Sequence, residues 1–443
     1  MRDGDAARPP AGVPRRPLLA AATALPAAAL LPGCSAGRRR RSADGRITLR
    51  FQSPAWQRDS VRAIRHLVAE WNERHPKVQV RYVQGSWATV HDQLLTSFEG
   101  GEGPDIIHDA ADDLADFAHG GDLADLTPLL PPRLRQDIPE RSWRTGTFNG
   151  RIHGIPFLQE PRVLMAHRGL LRGSGVRLPT PEHPWTWEEF REVARRLARG
   201  GRHGIAWPLK EPVSATLDLA LSTGGQVFHR RPDGRAEVRF DAVDQVVPRT
   251  IHDQVNVDRS ASRTTLGMGG SDTLPGFFAG RYAMVPLGFS YRHQIARQAP
   301  RGFDWTVLPA PGGTKGLDQG VSPQTLSIAE GCPYKEAAMA FIDFLLRPPN
   351  MVRLALGDWM LPTGRKALAD PALRVTRHGW ATGTALAGSL RAAPAQSFRG
   401  YPEWKDKIAT PGLQEYYSGA IGLDALRERL VEDGGLVLAR YQR

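Results

Sequence analysis

Residues 100–130 read GGEGPDIIHDAADDLADFAHGGDLADLTPLL, and the fold turns on how that stretch divides. Pro104-Asp105-Ile106-Ile107 opens a short apolar run behind glycines, the pattern of a buried strand, with Asp105 as a strand-end residue. Asp109, Asp112 and Asp113 crowd the loop that follows. Upstream, Ile47-Thr48-Leu49-Arg50-Phe51 alternates as a strand. Val61, Ile64, Leu67, Val68 and Trp71 then recur at helical spacing, which makes Trp71 a core residue. Residues 77–83 alternate again, with Val78, Val80 and Tyr82 on one face, and residues 91–98 are helical. Strand, helix, strand, helix, strand describes an α/β lobe with a mainly parallel sheet.

The middle of the chain repeats this order. Gly154-Ile155-Pro156 opens a second set of elements. Thr186 and Glu189 form a capping box ahead of a helix carrying Phe190, Val193 and Leu197. Ile205-Ala206-Trp207 and residues 282–286 read as short strands. Pro333 starts a helix with Ala337, Phe341, Phe344 and Leu345 on one face. The C-terminal third is mainly helical, including residues 424–431, with Gly434-Gly435 as a stop. No solenoid or propeller period is present.

The 443 residues exceed one ordinary core and predict two lobes. The net charge of +12 is almost all arginine, with only seven lysines, and does not mark a nucleic-acid binder. Its one dense run, residues 38–41, suits anionic headgroups. That run follows a secretory signal: Arg15-Arg16, an apolar segment over 17–31, then Leu31-Pro32-Gly33-Cys34. The segment is too short to span a bilayer. A cysteine after Leu-Pro-Gly resembles the lipobox of bacterial lipoproteins, in which it is acylated. This implies a signal peptide over 1–33, a lipidated tether over 34–45 and export by the Sec or twin-arginine route. With Cys34 lipidated, the fold is expected to hold no disulfide although it is exported. No metal-ligand cluster, P-loop, nucleophile elbow or dinucleotide fingerprint appears, so neither cofactor nor metal is expected.

Five motifs in register resemble the extracellular solute-binding proteins of ABC importers, the family of maltose-binding protein. They are the Gly-x-x-Pro-Asp-Ile strand with its later Gly121, Leu123 and Leu126; the stretch from Asn149 through Gly154-Ile155-Pro156; Trp185-Thr186-Trp187-Glu188-Glu189-Phe190; Phe278-Ala279-Gly280-Arg281 through Ala283-Met284 to Gly288; and Tyr334-Lys335-Glu336-Ala337-Ala338 with Phe341 and Phe344. The resemblance implies a type II periplasmic-binding-protein-like fold, two α/β lobes with a multi-crossing hinge and an interlobe ligand cleft. The expected lobes are 46–155 plus 312–349 and 156–311 plus 350–443, with crossings near 153–157, 308–314 and 346–352. It also implies a monomer that makes and breaks no bond and delivers its ligand to a membrane permease.

Sugar recognition calls for flat rings against apolar faces and charged or amide groups against hydroxyls. Open α/β sheets place ligands beyond strand ends, where several of the eleven Trp fall. Trp56 and Gln57 follow the first strand, although a helix-start packing role suits Trp56 equally. Trp87 follows the second strand. Asp112 matches the acid of a family Asp-Arg pair, with Asp113 in place of the arginine. Phe157 and Glu160 follow the first crossing. Trp207 ends a strand, either as a core residue or as a ligand platform. Phe289 and Tyr291 stand where the family carries a stacking aromatic, and Gln324 and Trp359 complete the expected site. A carbohydrate is the expected ligand. A polyol or glycerophosphodiester is the alternative, with Arg162 or Arg292 meeting phosphate; an exported glycosidase and a sensory or scaffold lipoprotein are the further ones.

Overall fold

Alternation in the first strand buries Leu49 and Phe51, and the helix Arg58–Arg74 buries Ala63, Ile64, Leu67, Val68 and Trp71 against that face. The computed structural model describes residues 45–441. The signal segment, Cys34 and the tether through residue 44 lie outside the described residues.

Ten strands build the two main sheets: β1 (Ile47–Ser53), β2 (Val78–Gln84), β3 (Ile106–Ala110), β4 (Ile155–Gln159), β5 (Arg162–His167), β6 (His203–Ile205), β7 (Tyr282–Gly288), β8 (Trp305–Pro309), β9 (Gln324–Ile328) and β10 (Leu361–Pro362). The first sheet has the order β10-β4-β9-β3-β1-β2 and the second β8-β5-β7-β6. In the first, β1 lies parallel to β2 and β3, in register Ile47 with Val78 and Phe51 with Ile106. The remaining half is antiparallel, Gln324 facing Ala110. β9 enters from the second lobe and runs between β3 and β4, antiparallel to both. In the second sheet only β6 and β7 run parallel.

The chain changes sheets three times. It leaves the first between β4 and β5, at Glu160-Pro161, and returns between β8 and β9. It departs again between Ala367, in the first lobe's core, and Leu373, packed with Val163 and Val285 of the second. Two expected boundaries therefore move. Residues 156–159 are fully buried in the first sheet. The helix Pro348–Asp358 turns Met351, Val352, Leu354 and Ala355 into the first lobe's core beside the helix Arg58–Arg74. Pro348 at the first helical turn begins an element but carries no information about which lobe receives it.

The Thr186–Glu189 capping box forms in both directions, at 3.1 and 2.9 Å. Gly434-Gly435 does not stop the last helical segment; Gly434 opens the helix Gly434–Ala439. A Cβ there would stand 2.3 Å from the Trp404 ring nitrogen, so this glycine permits close packing.

Candidate functional site

Glu160 is the first residue past β4, at the point where the chain passes between the lobes. Its Oε2 accepts the Ser290 N–H at 2.7 Å. A Cβ at Gly288 would lie 2.8 Å from either carboxylate oxygen, so β7 must end in glycine for Glu160 to fit. Beside it lies a cavity of ≈ 310 Å³ walled by Arg162, Trp207, Lys210, Glu211, Ser214 and Tyr291. Arg162 donates from Nε to Asp218 Oδ2 at 3.0 Å, and its backbone N–H bonds Gln319 Oε1 at 2.9 Å. Tyr291 leans over Gly270, where any Cβ would sit 2.6 Å from its hydroxyl. Burial raises the Tyr291 phenol, as does the Glu160 carboxylate, so the hydroxyl stays protonated. The indole N–H of Trp207 is committed to Gln254 Oε1 at 2.7 Å. The cavity thus joins an aromatic wall to two carboxylates and two cations, a set able to meet hydroxyls as donor and acceptor.

The first lobe supplies the 3₁₀ turn Ala111–Asp113, which touches the turn Pro394–Ser397 of the second lobe. Asp112 is half-buried there; burial raises its carboxyl, while Ser322, Lys405 and Gln396 pull it down. Asp113 takes His91 at 3.1 Å, and that contact raises the imidazole, against burial.

Of the expected residues, Glu160, Trp207 and Tyr291 come together at the cavity. Trp207 is at once wall and core, with 1% of its surface exposed. Trp56 stands free at the end of β1, 56% exposed. Trp87 is half-buried, edge-on to His108 at 5.5 Å. None of the other eight expected residues lines this cavity. Phe157 faces the first lobe's core, because the strand it belongs to is buried on both faces. Phe289 lies in the second lobe's core, its ring centroid 3.2 Å from the Arg292 guanidinium carbon. Gln57 is buried and bonds the Asp358 carbonyl at 3.3 Å. Gln324 is the centre of a buried chain: Ser53 Oγ meets His108 Nδ1 at 2.7 Å, His108 Nε2 meets Gln324 Oε1 at 2.9 Å, and Gln324 Nε2 donates to Asp358 Oδ2 at 2.7 Å. Burial holds His108 at about 4, so it is a neutral relay. Trp359 closes its helix at φ 56° and packs on Trp380 at 6.0 Å, forming part of the hinge wall.

The two candidate phosphate arginines are both committed. Arg162 is paired with Asp218, and Arg292 is enclosed among backbone carbonyls. Lys210, Glu211, Ser214 and Asp218 escaped the sequence reading. Their signal was position just beyond β6, Lys210 and Glu211 in the turn and Ser214 and Asp218 on the helix Pro212–Ala220 that follows.

Asp218 carries a pH signature. Burial lifts it from 3.8 to about 7, against the pull of Arg162. The folded chain therefore holds a proton that the unfolded chain sheds near 3.8, and this carboxyl favours folding most at the acid end. Its contribution fades as pH rises from 3.8 to about 7. Asp358, raised to about 6 by burial, acts the same way, and His108 acts oppositely between about 4 and 6.5. Asp218→Asn, neutral throughout, should gain stability relative to wild type as pH rises through this window and hold level above it. Melting temperatures of both proteins across about pH 4 to 8 check this; a constant gap would show that Asp218 is not buried as a carboxyl.

Comparison with known proteins agrees with this architecture. The family described as bacterial extracellular solute-binding protein matches residues 55–352. A relative from Streptomyces antibioticus, named "uncharacterized lipoprotein in oleD 5′ region", is 68% identical over 399 residues, 90% of this chain and 88% of its own. The maltotriose-binding protein of Pyrococcus abyssi is 22% identical over 327 residues, covering 72% of this chain and 67% of its own. The sugar-binding protein MalE of Xanthomonas citri superposes with a TM-score of 0.78 at 20% identity, covering 89% of this chain and 98% of its own. The family match runs from just past β1 through every crossing but the last and takes in every residue that walls the Glu160 cavity, and this protein belongs to the bacterial extracellular solute-binding proteins.

Proposed function

We propose that this protein captures an uncharged carbohydrate between its lobes and delivers it to an ABC permease, and that it performs no catalysis. The observation that carries the reading is the cavity at the Glu160 changeover. Tyr291 and Trp207 offer ring surface, Glu160 and Glu211 accept hydroxyl protons, and Lys210 and the Tyr291 hydroxyl donate. With Arg162 already engaged by Asp218, the site is better matched to a polyhydroxy solute than to a phosphate. Trp87 and Asp112, on the facing lobe, would close over the bound sugar, and Trp56 would extend the surface for a longer one. Closure would follow from contacts the ligand makes only when the lobes meet. A lipid on Cys34 and the polar tether would hold the receptor at the extracytoplasmic face of the cell membrane, exported by the Sec or twin-arginine route.

A thermal-shift screen against mono- and oligosaccharides tests this. A sugar at 100 times its Kd should stabilise the fold by about 2.7 kcal/mol. A flat response to sugars with a shift from glycerophosphodiesters would overturn the carbohydrate reading, and product formation from oligosaccharides would overturn the non-catalytic one. Tyr291→Ala should weaken binding roughly tenfold, about 1.5 kcal/mol, measured by calorimetric titration. Because Tyr291 is half-buried at a cavity rim, the variant should still fold cooperatively; unchanged affinity would remove it from the site.

A further inference from the structure

A further cavity, of ≈ 440 Å³, lies between the lobes and away from Glu160. Its first-lobe wall is His119 with the hairpin tip Phe148-Asn149, and its second-lobe wall holds Arg230, Arg235 and Arg399 together with one carboxylate, Asp233. Arg235 has Asp233 at 3.8 Å. The other two arginines have no carboxylate at ion-pair distance among the described residues. Arg230 lies over the Phe398 ring, its carbon 4.7 Å from the centroid, and spends its N–H groups on the carbonyls of Gly234 at 2.9 Å and Ser397 at 3.4 Å. Arg399 donates to the Tyr441 carbonyl at 3.0 Å, and its Nε is buried with no partner. Asp116 is raised by burial and pulled back by the Arg399 charge.

A guanidinium stacked on a ring and pinned by carbonyls has lost its freedom already, so little entropy remains to be lost when an anion arrives. Carbonyls hold its position without cancelling its charge. We propose that this cavity binds a small oxyanion, a phosphate or carboxylate group, between Arg230 and Arg399 of the second lobe and His119 of the first. An anion touching both walls is bound fully only when the lobes meet, so its occupancy favours the closed arrangement. The group arrives either as a free anion or as an acidic substituent on a larger solute. The inference does not depend on which solute fills the Glu160 cavity.

The test titrates the full chain with inorganic phosphate, and separately with glucuronate, in sodium chloride adjusted to constant ionic strength. Saturable phosphate binding is expected, weakened at least tenfold by Arg230→Gln and by Arg399→Gln. Arg231→Gln, on the same hairpin but paired with Glu237, should leave it unchanged. Arg230 is exposed, so its variant should fold even where Arg399→Gln does not. Saturable binding of glucuronate without phosphate identifies the substituent source, and the reverse identifies the free anion. Loss of saturation under matched chloride, or equal affinity in Arg230→Gln, overturns the site. His119→Ala should weaken binding several-fold; if it does not, the anion is held by one lobe and the coupling to closure is wrong.

Discussion

Replacing Arg292 by leucine should destabilise the folded chain by about 3–5 kcal/mol. The side chain is 0% exposed and meets no carboxylate at bonding distance. Nε donates to the Phe289 carbonyl at 2.6 Å, Nη1 to that of His378 at 2.7 Å and Nη2 to that of Trp359 at 2.9 Å. Those carbonyls come from three separate segments: the turn after β7, the loop before the helix Trp380–Leu386, and the end of the first lobe's helix Pro348–Asp358. Trp380 covers the guanidinium carbon at 4.2 Å from its ring centroid, its plane nearly perpendicular to that of Phe289 at 84°. Burial lowers the proton affinity of Arg292 well below the ordinary value, and only the Glu160 charge supports it. Swapping a buried ion pair for apolar groups is often harmless because both partners vanish together. Here the partners are backbone carbonyls, which no single substitution removes. Leucine leaves all three without donors, and a void where the guanidinium group lay. Arg292→Lys, with one nitrogen instead of three, should fall between the two. Urea unfolding measures the series; a leucine variant within about 1 kcal/mol of wild type would show that water replaces the guanidinium freely.

Trp207→Ala should cost about 3–5 kcal/mol as well, through a different mechanism. The indole fills the second lobe's core, edge-on to Phe190 at 6.1 Å, and part of its edge forms the cavity wall. Truncation removes apolar burial and opens a void in close-packed surroundings that relax only in part. It also strips Gln254 of its donor; that amide is fully buried and its Nε2 already lacks a partner. Trp207→Phe should keep most of the packing and lose only the hydrogen bond, at about 1–2 kcal/mol. The pair separates the two roles of this residue. A phenylalanine variant that folds well and binds its sugar at wild-type strength assigns Trp207 to the core. Weakened binding at nearly unchanged stability assigns the indole edge to the ligand.

The expected elements were those with local causes. Trp71 continued a helical stripe and is in the core. Thr186 and Glu189 lie three residues apart, the reach of a capping box, and both bonds form. Pro-Asp-Ile-Ile is buried as β3, and Asp112 stands at the loop beyond it. The misplaced residues depended on distant partners. Gln324 looks like any polar residue after a crossing, yet His108 and Asp358 draw it inward. Phe289 shares a turn with Tyr291, and which of the two faces the cavity is decided by Arg292, which packs against one ring and not the other. Gly434 resembled a helix stop because nothing nearby in the chain reveals Trp404.

Read alone, the chain determined its class: two α/β lobes, their order of elements, and strand ends from which a site could be built. Periodicity, caps and turn residues act within about a dozen positions, and those signals survive without tertiary contacts. Only the folded structure decided where the chain changes lobes, that Arg162 belongs to Asp218 and Arg292 to the hinge, and that Lys210 and Glu211 face Glu160. Those choices depend on which buried polar group finds its partner across the molecule, and the partners lie as far apart in sequence as Gln57 and Asp358. An unpaired buried group costs about 1–3 kcal/mol, enough to override any local preference for where a side chain points.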